Sequence, residues 1–508
     1  MVMNETQTNH ALRMSVFDGA FATMMASLAG GIFLVGFALN VLGANTVQVG
    51  ILAALPMSAN LAQLLGSIIL ETFGKRRPLC LICVTLARLM WIPIMLLPLT
   101  MFEGFGDARV WILVVLVGTS CLLGALSGVA WLEWMSDVIP PNIRGSFFGR
   151  RNMVCAGAGM VVILAGGAFL NYWENLHGKE DPYGYLILFG VGIVLGLVAT
   201  WFLFLVPDPK AGNPKPAPGS FHLKDLAGPF RQKNFLTLVI YVFTFMFATQ
   251  LAGPFYAVYM IDNLEVDFGT ITWFITFATI ASLFMLRIWG PIADQFGNKP
   301  ILMVSGFGHA LIPLSWVVAQ TGIYFWPITV AHVLSGAFYA AILLAQINIL
   351  IKLAPEKGRS IYIAVFNGMI GLSVAIAPIV GGWLLARMAG LSYQVGSWEL
   401  NNLHLLFLLS GILQIVVLFA LMRVREEGSA PSRAVLLQLR NDLDPQTGIA
   451  SAADFVTFRA SSTEKVLKGL DARTDRWAEQ SEARIGRWLD RIERRTGGPW
   501  KRIRNFLS

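Results

Sequence analysis

The chain has 508 residues, of which 56% are hydrophobic and only 13% charged. A soluble domain carries about 25% charged residues, so this composition excludes a water-soluble enzyme or binding module and points to an integral membrane protein. The formal charge of +8 is spread over connections and tail, which suits an anionic membrane surface and argues against nucleic acid as a partner.

Runs of about 20 apolar residues, each able to cross a hydrocarbon core of about 30 Å, recur along the whole chain. They predict twelve spans, near 16–42, 47–71, 78–100, 110–136, 150–172, 183–206, 234–261, 268–290, 299–319, 323–352, 360–388 and 403–423. The spans must be helical, because backbone groups in lipid have to bond within their own segment. Barrel strands would read as ten-residue alternating segments, and the chain has none of that pattern. The first run is too long for a cleaved leader and is followed by no A-x-A site.

Lys and Arg set the orientation. The even-numbered connections carry Lys75, Arg76 and Arg77, then Arg144, Arg150 and Arg151, then the cations of 207–233, then Lys299, and finally Lys352, Lys357 and Arg359. The odd-numbered ones hold Arg109, Lys179 and Arg387 and lean acidic, as in "IDNLEVDFG". The positive-inside rule therefore predicts both termini and every even connection in the cytoplasm, in a cell inner membrane. The pair Cys80 and Cys83 opens a membrane helix with no second pair, so it reads as packing rather than as a metal site.

Two stretches repeat. "SIILETFGKRRP" (67–78) closes the second span and "GPIADQFGNKP" (290–300) closes the eighth. Superposing Gly74 on Gly297 sets Glu71 opposite Asp294 and Arg76 opposite Lys299, with Lys75 also in the first copy. "DVIPPNIRGSFFGRRN" (137–152) and "KLAPEKGRSIYIAVFN" (352–367) repeat in the same way after spans 4 and 10, pairing Arg144 with Arg359 and Pro140 with Pro355. A shift of six spans relates both pairs, so the chain divides into a six-helix bundle at 1–206, a linker at 207–233, a second bundle at 234–424 and a basic tail at 425–508.

The first of these repeats resembles the loop motif G-x-L-a-D-x-x-G-R-K of the major facilitator superfamily. The second copy keeps Gly290 and Asp294; the first has Ser67 and Glu71 in their place but the stronger basic end. The resemblance implies an all-α fold of twelve transmembrane helices in two pseudo-symmetric bundles. It also implies alternating access around a site at the midplane. Spans 1, 4, 7 and 10 would line the cavity, and 2, 5, 8 and 11 the boundary between halves. It further implies that Glu71, Gly74, Lys75, Arg76, Asp294, Gly297 and Lys299 form a latch on the cytoplasmic side, closed when the cavity faces outward. Physically, a carboxylate beside a helix N-terminus meets about half a positive charge, and a glycine permits the tight reversal.

Ionisable groups inside a membrane are costly and point to function. Arg88 lies about ten residues into span 3, some 15 Å deep at 1.5 Å per residue, and so needs a carboxylate partner. Asp18 in span 1 and Glu133 in span 4 are the candidates, and either carboxyl is also a candidate carrier of a coupling proton. By the resemblance span 3 is peripheral, which favours a static ion pair for Arg88. Gln250 in span 7, and His332 and Gln346 in span 10, offer hydrogen bonds to a polar solute. The same groups also join membrane helices to one another.

Span 4 has no arginine and span 5 no proline, which departs from the pattern of proton-driven drug antiporters in this superfamily. No Walker-type G-x-x-x-x-G-K-[ST] occurs, so neither ATP nor another cofactor is expected. In the tail, Leu470, Trp477, Ile485, Trp488, Leu489 and Ile492 recur at helical spacing among arginines. That pattern suits an amphipathic helix on an anionic membrane surface or against a partner helix. The function expected is transport of a small solute across the bilayer, with no enzymatic activity. A receptor or assembly scaffold built on the same fold, or a carrier of lipid-like cargo, is the alternative.

Overall fold

A computed structural model describes residues 5–61, 76–99, 104, 106, 108–140, 143–208, 228–355, 359–395 and 398–443. Twelve helices follow in chain order. The first half holds α1 (Glu5–Ala29, resumed as Gly31–Gly36), α2 (Thr46–Leu61), α3 (Arg76–Leu89, resumed as Trp91–Leu96), α4 (Ala108–Val138), α5 (Arg144–His177) and α6 (Tyr183–Phe204). The second holds α7 (Lys233–Ala252, resumed as Phe255–Val258), α8 (Phe268–Phe296), α9 (Asn298–Ala310, resumed as Ile312–Val318), α10 (Phe325–Leu353), α11 (Arg359–Arg387) and α12 (Asn402–Met422). Eleven of them are long and apolar enough to cross a membrane among the described residues; the twelfth, α2, is described only to Leu61. Large apolar side chains such as Val161, Trp201 and Phe419 stand more than 60% exposed, which fits a surface facing lipid tails.

The packing repeats between the halves. Helix α1 lies against α5 and α6, as α7 does against α11 and α12. Helix α4 lies against α2 and α3, as α10 does against α8 and α9. Across the two halves, α2 packs on α11 and α5 on α8. Residues 1–435 thus form one compact unit.

A third repeat sits between the first two helices of each half. Both α1 and α7 end in a π-helical turn, Phe37–Val41 and Tyr259–Asn263. Leu42 N–H donates to the Phe37 carbonyl at 3.2 Å, and Leu264 N–H to that of Tyr259 at 3.0 Å. A positive φ follows at Gly43 (69°) and Glu265 (49°). The next helix is then capped by Asn45, whose side chain accepts from Gln48 N–H at 3.0 Å, and by Asp267, which accepts from Thr270 N–H at 2.9 Å. Asx side chains satisfy helix N-terminal donors in this way. Glycine adopts positive φ freely, whereas a glutamate pays about 1 kcal/mol or more to do so.

Among the described residues, several contacts between the halves lie at the end that carries the odd-numbered connections. Thr46 Oγ1 donates to the Gly382 carbonyl at 3.4 Å, and Gly50 lies so close to the Pro378 carbonyl that a Cβ there would overlap it. Phe33 stacks on Phe268 with centroids 6.0 Å apart, and Lys179 faces Glu265 at 3.7 Å.

The α11–α12 connection forms a two-stranded antiparallel hairpin, β1 (Ser392–Val395) and β2 (Trp398–Asn401), with Ser392 opposite Asn401. The pattern of apolar runs predicts no strands there. Helix α5 begins at Arg144 rather than 150, which moves Arg150 and Arg151 from a connection into a helix. A further helix spans Ser432–Leu443. The proposed amphipathic segment of the tail and most of the linker lie outside the described residues.

Candidate functional site

Between the halves lies an apolar cavity of about 440 Å³, within the range typical of small-molecule sites. Its walls come from α1 and α2 of the first half and from α7 to α10 of the second. Tyr256 and Trp316 line it as a stacked pair, centroids 4.5 Å apart and planes 17° from parallel. His332 also lines it, stacked on Phe274 at 5.5 Å, with Nδ1 2.9 Å from the Ile328 carbonyl.

A hydrogen-bond chain fixes the wall behind these rings. The Asn401 N–H donates to His404 Nδ1 at 3.0 Å, so the proton of the neutral imidazole is on Nε2. Nε2 then donates to the Tyr259 hydroxyl at 2.8 Å, and that hydroxyl donates to the Ala319 carbonyl at 2.6 Å. Every link in the chain has a defined direction.

The charged groups of the first half meet elsewhere. Arg88 reaches Asp18, Nη2 to Oδ1 3.7 Å, and also donates to Thr200 Oγ1. Arg151 approaches the other carboxylate oxygen of Asp18 at 3.7 Å, donates from Nε to the Ser15 carbonyl at 3.1 Å, and lies over the Trp131 ring at 4.6 Å. Glycines make room for both arginines. A Cβ at Gly19 would overlap the Arg151 guanidinium, and one at Gly196 would crowd the Arg88 stem. Of the two carboxylates expected beside Arg88, Asp18 is the one found there; Glu133 is exposed on α4.

Sequence reasoning missed Arg151. In the sequence it groups with the loop cations, because it lies near a helix start. Only the structure shows it to lie seven residues inside a helix that begins at Arg144.

Among the remaining candidates, Gln346 is buried on α10 with its Nε2 unpartnered among the described residues. Gln250 is half-buried beside Gly253 rather than in the cavity wall.

At the end carrying the even-numbered connections, each half is clamped by charge. Arg76 donates to Asp137 at the end of α4, and to Asp208 beyond α6 at 2.7 Å. In the second half the carboxylate is Glu426, which no sequence signal marked. It accepts from the N–H groups of Asn298 and Lys299 at 2.9 and 2.6 Å and from Lys352 Nζ at 2.8 Å. Burial by itself would raise the Glu426 carboxyl, but the hydrogen bonds from Lys352, Lys299 and Asn298 outweigh it and hold it below the usual carboxylate range. Gly297, at φ 87°, makes the reversal into α9, while Asp294 is exposed. Lys299 Nζ donates to the Met422 carbonyl at 2.9 Å. Glu71, Gly74 and Lys75 lie outside the described residues.

The sequence profile of the Major Facilitator Superfamily matches the chain twice, over residues 19–251 and 238–468. The chain belongs to this superfamily. Its members are transporters rather than enzymes. Among curated relatives, the chain is 29% identical over 111 residues to "Efflux pump dotC" of Dothistroma septosporum, covering 22% of this chain and 19% of that one. It is 29% identical over 123 residues to "Tetracycline resistance protein, class H" of Pasteurella multocida, covering 24% and 29%. Each match therefore spans less than a third of the relative. Among solved structures, a mutant of the nucleoside transporter NupG superposes with a TM-score of 0.62 at 14% identity, over 82% of this chain and all of that one. The inward-open xylose transporter XylE from E. coli does so at 0.58 and 13%, over 85% and 98%. At these identities the likeness is one of fold.

Proposed function

We propose that this transporter exports a small, largely apolar aromatic solute by alternating access, with its cargo seated between the halves. The observation that carries this reading is the cavity wall, where Tyr256, Trp316 and His332 present ring faces with few polar groups beside them. Aromatic surfaces of this kind gain about 0.5–1.5 kcal/mol per ring pair beyond simple area burial. The direction of transport is taken from the relatives named as efflux and resistance proteins.

With both termini and the even connections in the cytoplasm of a cell inner membrane, contacts gathered at the odd end correspond to an inward-facing arrangement. In that frame the cytoplasmic latch around Arg76 and Lys299 is open: their contacts each stay within one half, and the latch would close only when the cavity faces outward. Asp18 and Arg88 are the coupling candidates, and the tail rests on the anionic leaflet. Rocking of the halves would break the contacts of Thr46 and Gly50 and expose the cavity to the other side.

The test is flux from liposomes holding the purified protein, using a panel of neutral and charged aromatic solutes. Saturable efflux of at least one class, reduced tenfold or more in Tyr256→Ala, is the expected result. Absence of saturable flux for the whole panel from folded protein would favour a scaffold role and overturn the proposal.

A further inference from the structure

The Asp18 cluster does not balance. Two guanidiniums and one carboxylate are held together, with side-chain exposures of 8% for Arg88, 14% for Arg151 and 6% for Asp18. Among the described residues the cluster therefore carries a net charge of +1, in a setting where an uncompensated charge is expensive.

Two further donors stand beside Arg151 with nothing to bond to among the described residues. The Ser15 hydroxyl is fully buried and unpartnered, although the carbonyl of the same residue accepts from Arg151 Nε. The indole N–H of Trp131, whose ring the Arg151 guanidinium covers, is likewise buried and unpartnered. Each such group costs free energy unless a partner arrives. A positive excess and two orphaned groups, each able to donate, share one acceptor-seeking neighbourhood on α1, α3, α4 and α5. Gly19 holds the space in which the guanidinium lies.

We propose that Arg151, Ser15 and Trp131, with Arg88 behind Asp18, form a binding site for a single negatively charged oxygen group, a carboxylate or a phosphate monoanion. The excess charge selects a monoanion over a neutral solute, and the Arg151 side chain, 14% exposed, is the least buried of the three charged groups. The step from bound anion to transported cargo rests on the function proposed above. Anion binding itself does not, because it can be measured without flux.

The experiment is thermal unfolding of the full chain in phosphatidylcholine nanodiscs, titrated with sodium benzoate and, as the neutral counterpart, benzamide. Ionic strength is held with sodium HEPES. Benzoate is expected to raise the unfolding temperature in a saturable way and benzamide not. Ser15→Ala and Trp131→Phe, which conserve shape, should each weaken the apparent benzoate affinity at least threefold. Asp18→Asn, which raises the excess charge, should strengthen it.

A parallel arm replaces part of the lipid with phosphatidylglycerol. Stabilisation there that is lost in Ser15→Ala and Trp131→Phe, without a benzoate response, assigns the site to a lipid phosphate. Equal responses to benzoate and benzamide, or responses to both probes unchanged in Ser15→Ala, Trp131→Phe and Asp18→Asn, would overturn the proposal. Anion binding without benzoate flux would retain the site and remove it from the transport cycle.

Discussion

The Glu426 carboxylate, from beyond the last membrane helix, accepts the backbone N–H of Lys299 at 2.6 Å and so caps the first turn of α9. The helix dipole and the Lys352 ammonium both favour the ionised form. Its side chain is only 2% exposed, so replacing it leaves buried donors without a partner. Glu426→Gln is expected to destabilise the protein by about 1–3 kcal/mol, read as a fall in unfolding temperature at pH 7.

The same residue sets a pH dependence. Its folded carboxyl is held below the usual range, so its contribution is fully present above the unfolded-state value, about pH 4.3. It is lost as pH falls through the depressed folded value. The gap in unfolding temperature between wild type and Glu426→Gln should stay constant from pH 7 to 5 and shrink below about pH 4. A gap that narrows already between pH 7 and 6 would contradict this assignment.

Glu265 occupies the position that glycine holds in the first half. Gly43→Ala should cost about 1 kcal/mol, because φ 69° is strained for any side chain. Glu265→Gly should be neutral or stabilising by up to about 1 kcal/mol, since its exposed contact with Lys179 contributes little. Urea or thermal unfolding of the two variants checks the opposite signs.

Tyr259→Phe keeps the ring and removes the hydroxyl between His404 and Ala319. The expected loss is about 1–3 kcal/mol in stability. The aromatic packing against Trp316 is retained, so affinity for a cavity ligand should change less than threefold. A larger loss of affinity than of stability would place the hydroxyl in ligand binding.

Gly50→Ala pushes a methyl group into the Pro378 carbonyl, and overpacking of this kind costs about 1–3 kcal/mol. The cost falls on the arrangement in which α2 and α11 touch, so the variant should shift the population away from it. A cysteine introduced at Val47 should then react faster with a membrane-impermeant maleimide, measured against the native cysteine background. Unchanged labelling would mean that this contact does not hold the odd end shut.

Much was legible in the chain alone because bilayer thickness and backbone hydrogen bonding leave few options. Apolar runs of fixed length must be helices, and the repeat of Gly74 at Gly297 and of Arg144 at Arg359 carries the two-fold division directly in residue order. The third repeat, from Leu42 to Gln48 and from Leu264 to Thr270, escaped because a glycine and a glutamate occupy one backbone conformation. Only the Asn45 and Asp267 caps mark it locally. What the sequence could not decide is which charges meet. Arg151 reads as a loop cation until α5 is seen to start at Arg144 and Gly19 to make room for it. Glu426 reads as tail until α12 returns it to α9, 127 residues from Lys299 in sequence. Local periodicity determines helices, because each hydrogen bond of a helix closes within four residues. Partners for buried charge are chosen by side-chain geometry across separate helices, and that only the tertiary structure decides.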